Sequence, residues 1–166
     1  MPANYIETIQ RFFPERQVRA TGDGSDYDSL HSLDGLPLPS QAELDPLKLA
    51  LCREHKWAEI KTERDRRKFN GVKIGSAWFH SDDSSRIQQI GLVMMGASMP
   101  AGIMWKTMSD SFVQMTPTLA MQIFSGVAAQ DLAIFARAEQ HRAAMMASPN
   151  PSTYDYSTGW PLTFGE

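Results

Sequence analysis

The fold is decided by residues 116–147, TPTLAMQIFSGVAAQDLAIFARAEQHRAAMMA, the longest stretch of the chain with a helical pattern. Thr116 is a suitable N-cap, and Pro117 suits the first helical position because its missing N–H has no partner there. The sequence therefore predicts one helix over 117–147, which at 1.5 Å per residue extends over roughly 45 Å. A compact domain of this size does not require that length, so part of the helix is expected to project. One stripe of this helix comprises Met121, Phe124, Ala128, Leu132, Phe135 and Ala138.

A second helix is predicted upstream, over about 46–68. Asp45 is a suitable N-cap and Pro46 again suits the first helical position. The segment 40–43, Ser-Gln-Ala-Glu, has the spacing of a capping box and offers an earlier start.

A third helix is predicted over about 83–98, after the polar segment 81–84, which supplies several N-cap candidates. Leu92, Val93 and Met95 place apolar groups on more than one face. We therefore expect this helix to be the central and most buried one. Its main apolar stripe comprises Ile87, Ile90, Met94 and Ala97.

Two β-hairpins are predicted to join these helices. Asn70-Gly71 is the strongest short signal for a hairpin turn, and residues 76–80 form either its return strand or the approach to the next helix. Residues 104–107 and 111–115 flank a three-residue turn and predict the second hairpin.

The two ends of the chain differ from this helical middle. Residues 1–44 predict a short helix over about 6–13, a weak hairpin ending in a strand over 27–33, and a Pro-rich linker. Residues 149–166 have no helical period but are rich in aromatic residues, which predicts an extended arm. The arm lies either on a partner surface or back on its own domain, and the sequence leaves both open.

Together these patterns predict an α+β, mostly α fold. Three main helices are joined by two hairpins, with a small β-containing segment before them and an extended arm after them. The predicted segments are 1–44, an α/β segment with linker, 45–148, a helical domain, and 149–166, the arm.

The composition excludes several classes of protein. The 166 residues carry a net charge of −3, which does not favour nucleic acid. The one cysteine rules out an intramolecular disulfide, and the first residues have no pattern of a signal peptide. The apolar stretch 90–104 is too short and too interrupted to cross a membrane. We expect a protein made in a cytoplasm, with no membrane or nucleic-acid partner.

Two polar clusters contain the residue types of a catalytic or metal site. His80, Asp82 and Asp83 have the groups of a metal or acid–base site, but carboxylates before a helix are also what N-capping requires. Cys52 and His55 share a helix face at the spacing of half a zinc site, without a second half in the sequence. The sequence thus predicts no catalytic residue, no cofactor and no metal ligand. Large aromatic residues often anchor protein interfaces, and the predicted partner-binding residues are Trp57, Trp105, Tyr154, Tyr156, Trp160 and Phe164.

Residues 46–147 resemble an uncharacterised domain found in bacteriophage tail-fibre assembly and tail-fibre-associated proteins. The first block of the resemblance is Lys56-Trp57-Ala58-Glu59-Ile60-Lys61, Arg64-Asp65, Phe69-Asn70-Gly71, His80-Ser81-Asp82 and Ser85-Arg86-Ile87-Gln88-Gln89-Ile90. The second block is Trp105-Lys106-Thr107, Asp110, Phe112-Val113, and the helix that follows Thr116 through His141. In this pattern the last helix usually ends the protein, and the aromatic arm departs from it. An ordered arm indicates permanent incorporation into a particle.

The resemblance implies a non-enzymatic virion protein of the tail, associated with the tail fibre or the baseplate. Its implied partners are other tail, baseplate or tail-fibre proteins and further copies of itself, since such proteins are expected in multiple copies. The alternative is a tail-fibre assembly chaperone that does not stay in the particle. A small tail-associated hydrolase is the third hypothesis, from another functional class.

Overall fold

The computed structural model describes residues 3–166, and within this range the chain is α+β and mostly α-helical. Its four α-helices are α1 (Tyr5–Phe12), α2 (Gln41–Lys68), α3 (Asp83–Met95) and α4 (Pro117–Ala147). Six short strands pair as three antiparallel hairpins, β1 (Val18–Ala20) with β2 (Leu30–Ser32), β3 (Val72–Ile74) with β4 (Ala77–Phe79), and β5 (Met104–Lys106) with β6 (Phe112–Gln114). The predicted fold class is therefore confirmed.

The chain divides into two compact units, each built from two chain segments. The first unit comprises the residues up to Ile60 together with His141–Tyr156, and the second comprises Lys61–Gln140 together with Ser157–Glu166. The sequence predicts three consecutive domains, 1–44, 45–148 and 149–166. This division stays a prediction.

The core of the first unit is small and depends on α1. Asn4 caps this helix, because its side-chain oxygen accepts a hydrogen bond from the backbone N–H of Glu7 at 2.8 Å. Thr8 follows one turn later and is also buried. The buried apolar residues of this core are Tyr5, Ile9, Leu30 and Leu44.

The helix α2 begins at Gln41, five residues before the predicted start. Ser40 and Glu43 form the capping box, since the backbone N–H of Ser40 donates to the Glu43 carboxylate at 2.8 Å and the backbone N–H of Glu43 to the Ser40 hydroxyl at 3.3 Å. Leu44, fully buried in the core of the first unit, fixes this first turn. Pro46 consequently lies inside the helix rather than at its start.

The strand predicted over 27–33 is shorter in the structure. Asp26 accepts a hydrogen bond from the backbone N–H of Asp28, and Tyr27–Ser29 forms a 3-10 turn. Only Leu30–Ser32 is extended and paired, because the capped turn already uses the backbone before it.

The hairpin β3–β4 is present, but Asn70-Gly71 is not its turn. Gly71, with φ of +87°, lies between the end of α2 and the strand, in a conformation that favours glycine. The two-residue turn is Gly75-Ser76, where Gly75 has φ of +61°, as the first central residue of a type II′ turn requires. The prediction of the hairpin is confirmed and that of its turn is wrong.

The core of the second unit joins both later hairpins to α3 and α4. Each hairpin has only three paired residues per strand, so it depends on packing against a helix for its stability. Partly buried Trp105 and Val113 lie against this core. Its buried residues are Val72, Phe79, Leu92, Met115, Ala120, Ile123 and Val127.

The helix α3 is not the most buried helix, which corrects the expectation from its sequence. Its buried residues are Gln89 and Leu92, whereas Ile87 is 70% and Met94 is 82% exposed. Only the Leu92 side of α3 packs against the core of the second unit, so the predicted apolar stripe lies on the other side. The helix also ends at Met95, three residues early, because Gly96 adopts φ of +51° and starts a 3-10 turn.

Replacement of the residue that caps α3 tests this assignment. The side chain of Asp82 accepts a hydrogen bond from the backbone N–H of Ser85 at 3.0 Å, while Asp83 is exposed. We expect Asp82→Ala to lower the free energy of unfolding by about 1 kcal/mol, because a helix N–H loses its partner. Asp83→Ala is the matched control, with a clearly smaller expected effect. Urea denaturation of both variants measures the difference, and equal losses would contradict the role of Asp82.

Candidate protein-interaction surface

The polar segment 80–83 serves helix capping in the structure. Hydrogen bonds from the hydroxyls of Ser85 and Ser84 and from the backbone N–H of Ser85 hold the pKa of Asp82 far below its ordinary value. The buried hydroxyl of Ser81 accepts from the backbone N–H of Gly71 and donates to the backbone carbonyl of Lys68, both at 2.8 Å. The prediction that these residues cap α3 is confirmed for Asp82.

Cys52 and His55, considered as half of a zinc site, have separate surroundings. Cys52 is buried in a small cluster with Ala3 and Leu51. His55 lies at the surface, where its Nε2 is 3.1 Å from a carboxylate oxygen of Glu7. Within residues 3–166 no group of three or more His, Cys, Asp or Glu side chains is arranged to hold a metal ion.

Three of the predicted anchors lie beside cationic or polar groups of the first unit. The guanidinium of Arg142 is 5.1 Å from the centre of the Trp57 ring, and the ammonium of Lys56 is 5.3 Å from that of Tyr156. The hydroxyl of Tyr154 is 2.9 Å from Nδ1 of buried His141. Within this unit the first part of the arm thus packs on the chain itself.

The last residues of the arm bind within the second unit, and Arg67 is the centre of their contacts. Its guanidinium is 5.4 Å from the centre of the buried Trp160 ring, 2.9 Å from Oε1 of Glu166 and 2.6 Å from Oε1 of Glu63. It also donates to the backbone carbonyl of Pro161. We call these five residues, Glu63, Arg67, Trp160, Pro161 and Glu166, the arginine clamp.

Asn70 extends the attachment of this segment beyond the arginine clamp. Its side-chain amide donates to the Thr163 hydroxyl at 3.0 Å and to the Phe164 backbone carbonyl at 2.9 Å. The backbone carbonyl of Asn70 accepts a hydrogen bond from the backbone N–H of Phe164. The Phe164 ring meets Trp78 edge to face, with centroids 6.1 Å apart. Of the two positions that the sequence left open for the arm, the structure shows packing on its own chain. Assignment of the six aromatic residues to a partner interface stays a prediction.

Two carboxylates of the arginine clamp have lowered pKa values. Burial opposes ionisation of Glu166, but hydrogen bonds from Arg67 and from the backbone N–H of Thr163 outweigh it and keep the pKa below its ordinary value of 4.5. For Glu63, the hydrogen bond from Arg66 is the largest cause of the lowered pKa, followed by opposing burial and by Arg67. Both carboxylates are therefore ionised at neutral pH.

Many of the exposed apolar residues of the second unit lie on α3 and α4. Of the α4 stripe predicted from the sequence, Ala138 alone is buried, because the helix turns a different stripe toward the core. That buried stripe contains Ala120, Ile123, Val127 and Ile134. We call the remaining surface the α3–α4 face, and its residues are Ile87, Ile90, Met94, Met121, Phe124, Ala128, Leu132 and Phe135, all of them exposed.

A groove of about 160 Å³ runs along this face between the two helices. Ile90, Phe124 and Ala128 are among its lining residues, and so are Arg86 and Asp131. The guanidinium of Arg86 and the carboxylate of Asp131 neutralise each other through contacts of 2.6 and 3.0 Å. The groove therefore carries no net charge, and its exposed walls are apolar.

The sequence of α4 does contain a signal for this surface. Two apolar stripes run along α4, the buried one with Ile123 and Val127, and the exposed one with Phe124 and Leu132. A surface helix of a monomer typically needs one apolar stripe. By length and composition alone α4 is also able to cross a membrane, a criterion that apolar helices of other proteins meet as well.

Comparison with known proteins gives a single finding. The model of a family described as a domain of unknown function, DUF4376, matches residues 52–158. No curated protein and no solved structure matches the chain.

The arginine clamp is expected to weaken in acid. The folded pKa of Glu166 lies below the unfolded value, so its contribution is complete above pH 4.5 and is lost as the pH falls through the folded pKa. We expect the indole NMR signal of Trp160 to shift in this acidic range and Glu166→Gln to remove most of that shift. Asp65→Asn is the control, because Asp65 pairs with Arg64 rather than Arg67. An unchanged titration of Trp160 in Glu166→Gln would contradict the arginine clamp.

Proposed function

The chain belongs to the DUF4376 family, whose function is unknown, and we propose that it is a structural or adaptor protein of a bacteriophage tail. In this role it joins tail-fibre or baseplate proteins through protein–protein contacts. The observation that carries the proposal is the exposed α3–α4 face.

The size of the α3–α4 face supports a contact role. Met94 and Leu132, at 82% and 74% exposure, extend furthest into solvent. The face has seven large apolar side chains, each of them at least 42% exposed, and exposed apolar surface of this kind commonly marks an interaction site. In water such a surface is unfavourable, and covering it by another protein releases the free energy of apolar burial.

The bacteriophage assignment has a different support, which is the resemblance of residues 46–147 to the domain of tail-fibre-associated proteins. The non-enzymatic role is supported by the structural use of the most promising polar cluster. Asp82 binds a backbone N–H at the start of α3, and Ser81 binds backbone groups of Lys68 and Gly71 near the end of α2. Packing of the arm through Arg67 and Asn70 supports a rigid component rather than a free peptide ligand.

Quantitative peptide mass spectrometry of gradient-purified particles from the encoding bacteriophage tests this function. We expect the protein in a fixed stoichiometry with the tail proteins, because a structural component is incorporated in a set number of copies. A capsid protein of known copy number serves as the internal standard. Absence from particles, with the protein bound to tail fibre in infected cells, would instead assign it to fibre assembly. Absence from both would overturn the proposal.

A further inference from the structure

We propose that the α3–α4 face binds the same face of a second copy of this chain, with the two α4 helices antiparallel and a two-fold axis at Ala128. This inference rests on the proposed use of the face for protein contacts and names its occupant. The argument comes from the spacing, the size and the charge of the exposed residues of α4.

The spacing of the exposed stripe is symmetric about Ala128. Phe124 and Leu132 lie four residues before and after it, and Met121 and Phe135 lie seven residues before and after it. A two-fold axis through Ala128, perpendicular to α4, therefore places Phe124 opposite Leu132 and Met121 opposite Phe135 of the second copy. Isologous contacts of this kind are the commonest in homo-oligomers.

The sizes of the side chains fit this arrangement. Ala128, at the centre, leaves room for two helices to approach closely, and the larger residues fill the space on both sides. Leu132 of each copy lies opposite Phe124 of the other copy, and Phe124 lines the groove between α3 and α4. The Leu132 side chain, 74% exposed in one copy, is thus positioned to enter the groove of the other. This is the knob-and-hole packing of paired helices.

The charges also favour a second copy over a charged partner. From Pro117 to Gln130 α4 has no charged residue, and Asp131 is neutralised by Arg86 of its own chain. The two-fold axis places Asp131 opposite Ser125, so the pairing brings no like charges together. Arg64, whose guanidinium is 4.7 Å from the centre of the Phe135 ring, is likewise neutralised by Asp65. A face without net charge is complementary to itself, whereas a basic or acidic partner requires a net opposite charge that is missing here.

The available area agrees with a dimer. A standard interface buries about 800 Å² on each partner, and the seven large side chains of the α3–α4 face, 42–82% exposed, provide the apolar centre of such an interface. Antiparallel α4 helices also place opposite ends of their dipoles beside each other, which adds to the stability of the pair.

The mass of the full-length protein in solution is the first test. We expect a dimer by sedimentation equilibrium and a dimer affinity lowered by about 100-fold or more in Ala128→Glu, because the axis places two carboxylates in contact. Ala133→Glu is the matched control, since Ala133 is exposed on the same helix outside the stripe. Circular dichroism checks that both variants fold. A monomeric wild-type protein, or equal effects of the two variants, would overturn the proposal.

Cysteine cross-linking tests the direction of the pair without destabilising substitutions in its centre. We expect Met121→Cys chains to cross-link with Phe135→Cys chains under mild oxidation, because the antiparallel pair places these positions opposite each other. Met121→Cys alone should not cross-link, since its two copies are about 21 Å apart along the helices and a disulfide needs Cα atoms within about 7 Å. Buried Cys52 is present in every sample. Cross-linking of Met121→Cys alone would indicate parallel helices and overturn the proposal.

Three further outcomes distinguish this inference from the proposed function. A monomer that floats with phospholipid vesicles would show that the α3–α4 face binds lipid, and would overturn self-pairing. A monomer that is present in purified particles would overturn self-pairing and leave the function as proposed. A dimer that is absent from particles and from tail fibre would support self-pairing and overturn the proposed function.

Discussion

Burial of Ile123 and Val127 on α4 against Val72, Phe79 and Leu92 is the interaction on which the second unit depends. Strands of three residues form too few backbone hydrogen bonds to be stable in isolation. The hairpins β3–β4 and β5–β6 therefore exist because α4 provides an apolar surface to cover them. Gly126 lies within this contact, where a Cβ atom would come within 2.5 Å of Cδ1 of Ile74, so the helix and the hairpin approach closely.

The same helix explains why the α3–α4 face is apolar. Ile123 and Val127 use one side of α4, and Phe124 and Leu132 are left on another. Helical periodicity gives the angle between two residues but does not say which of them meets the rest of the chain. The sequence of α4 consequently has two apolar stripes, of which its own chain covers one.

Elements that depend on local chemistry could be predicted from the sequence, and elements that depend on distant residues could not. The cap at Asp82 and the hairpin β5–β6 follow from nearby side chains and were predicted correctly. The start of α2 was missed because burial of Leu44, which lies in a core with α1, favours the capping box at Ser40. The exposure of α3 could not be predicted either, since apolar content does not show whether a side chain faces the core or solvent. For the arm, the contact of Arg67 with Trp160 joins residues too far apart in sequence for any pattern to reveal.

The attachment of Phe164 to Asn70 also determines when folding can finish during synthesis. Each unit combines an early segment with one from the region after Gln140, so neither is complete while the ribosome is still translating α4. Until then Arg67 lacks Glu166 in the second unit, and His141 lacks Tyr154 in the first. A nascent chain that stops at the end of α4 would leave both units open to chaperones and proteases, and only the completed polypeptide would escape them.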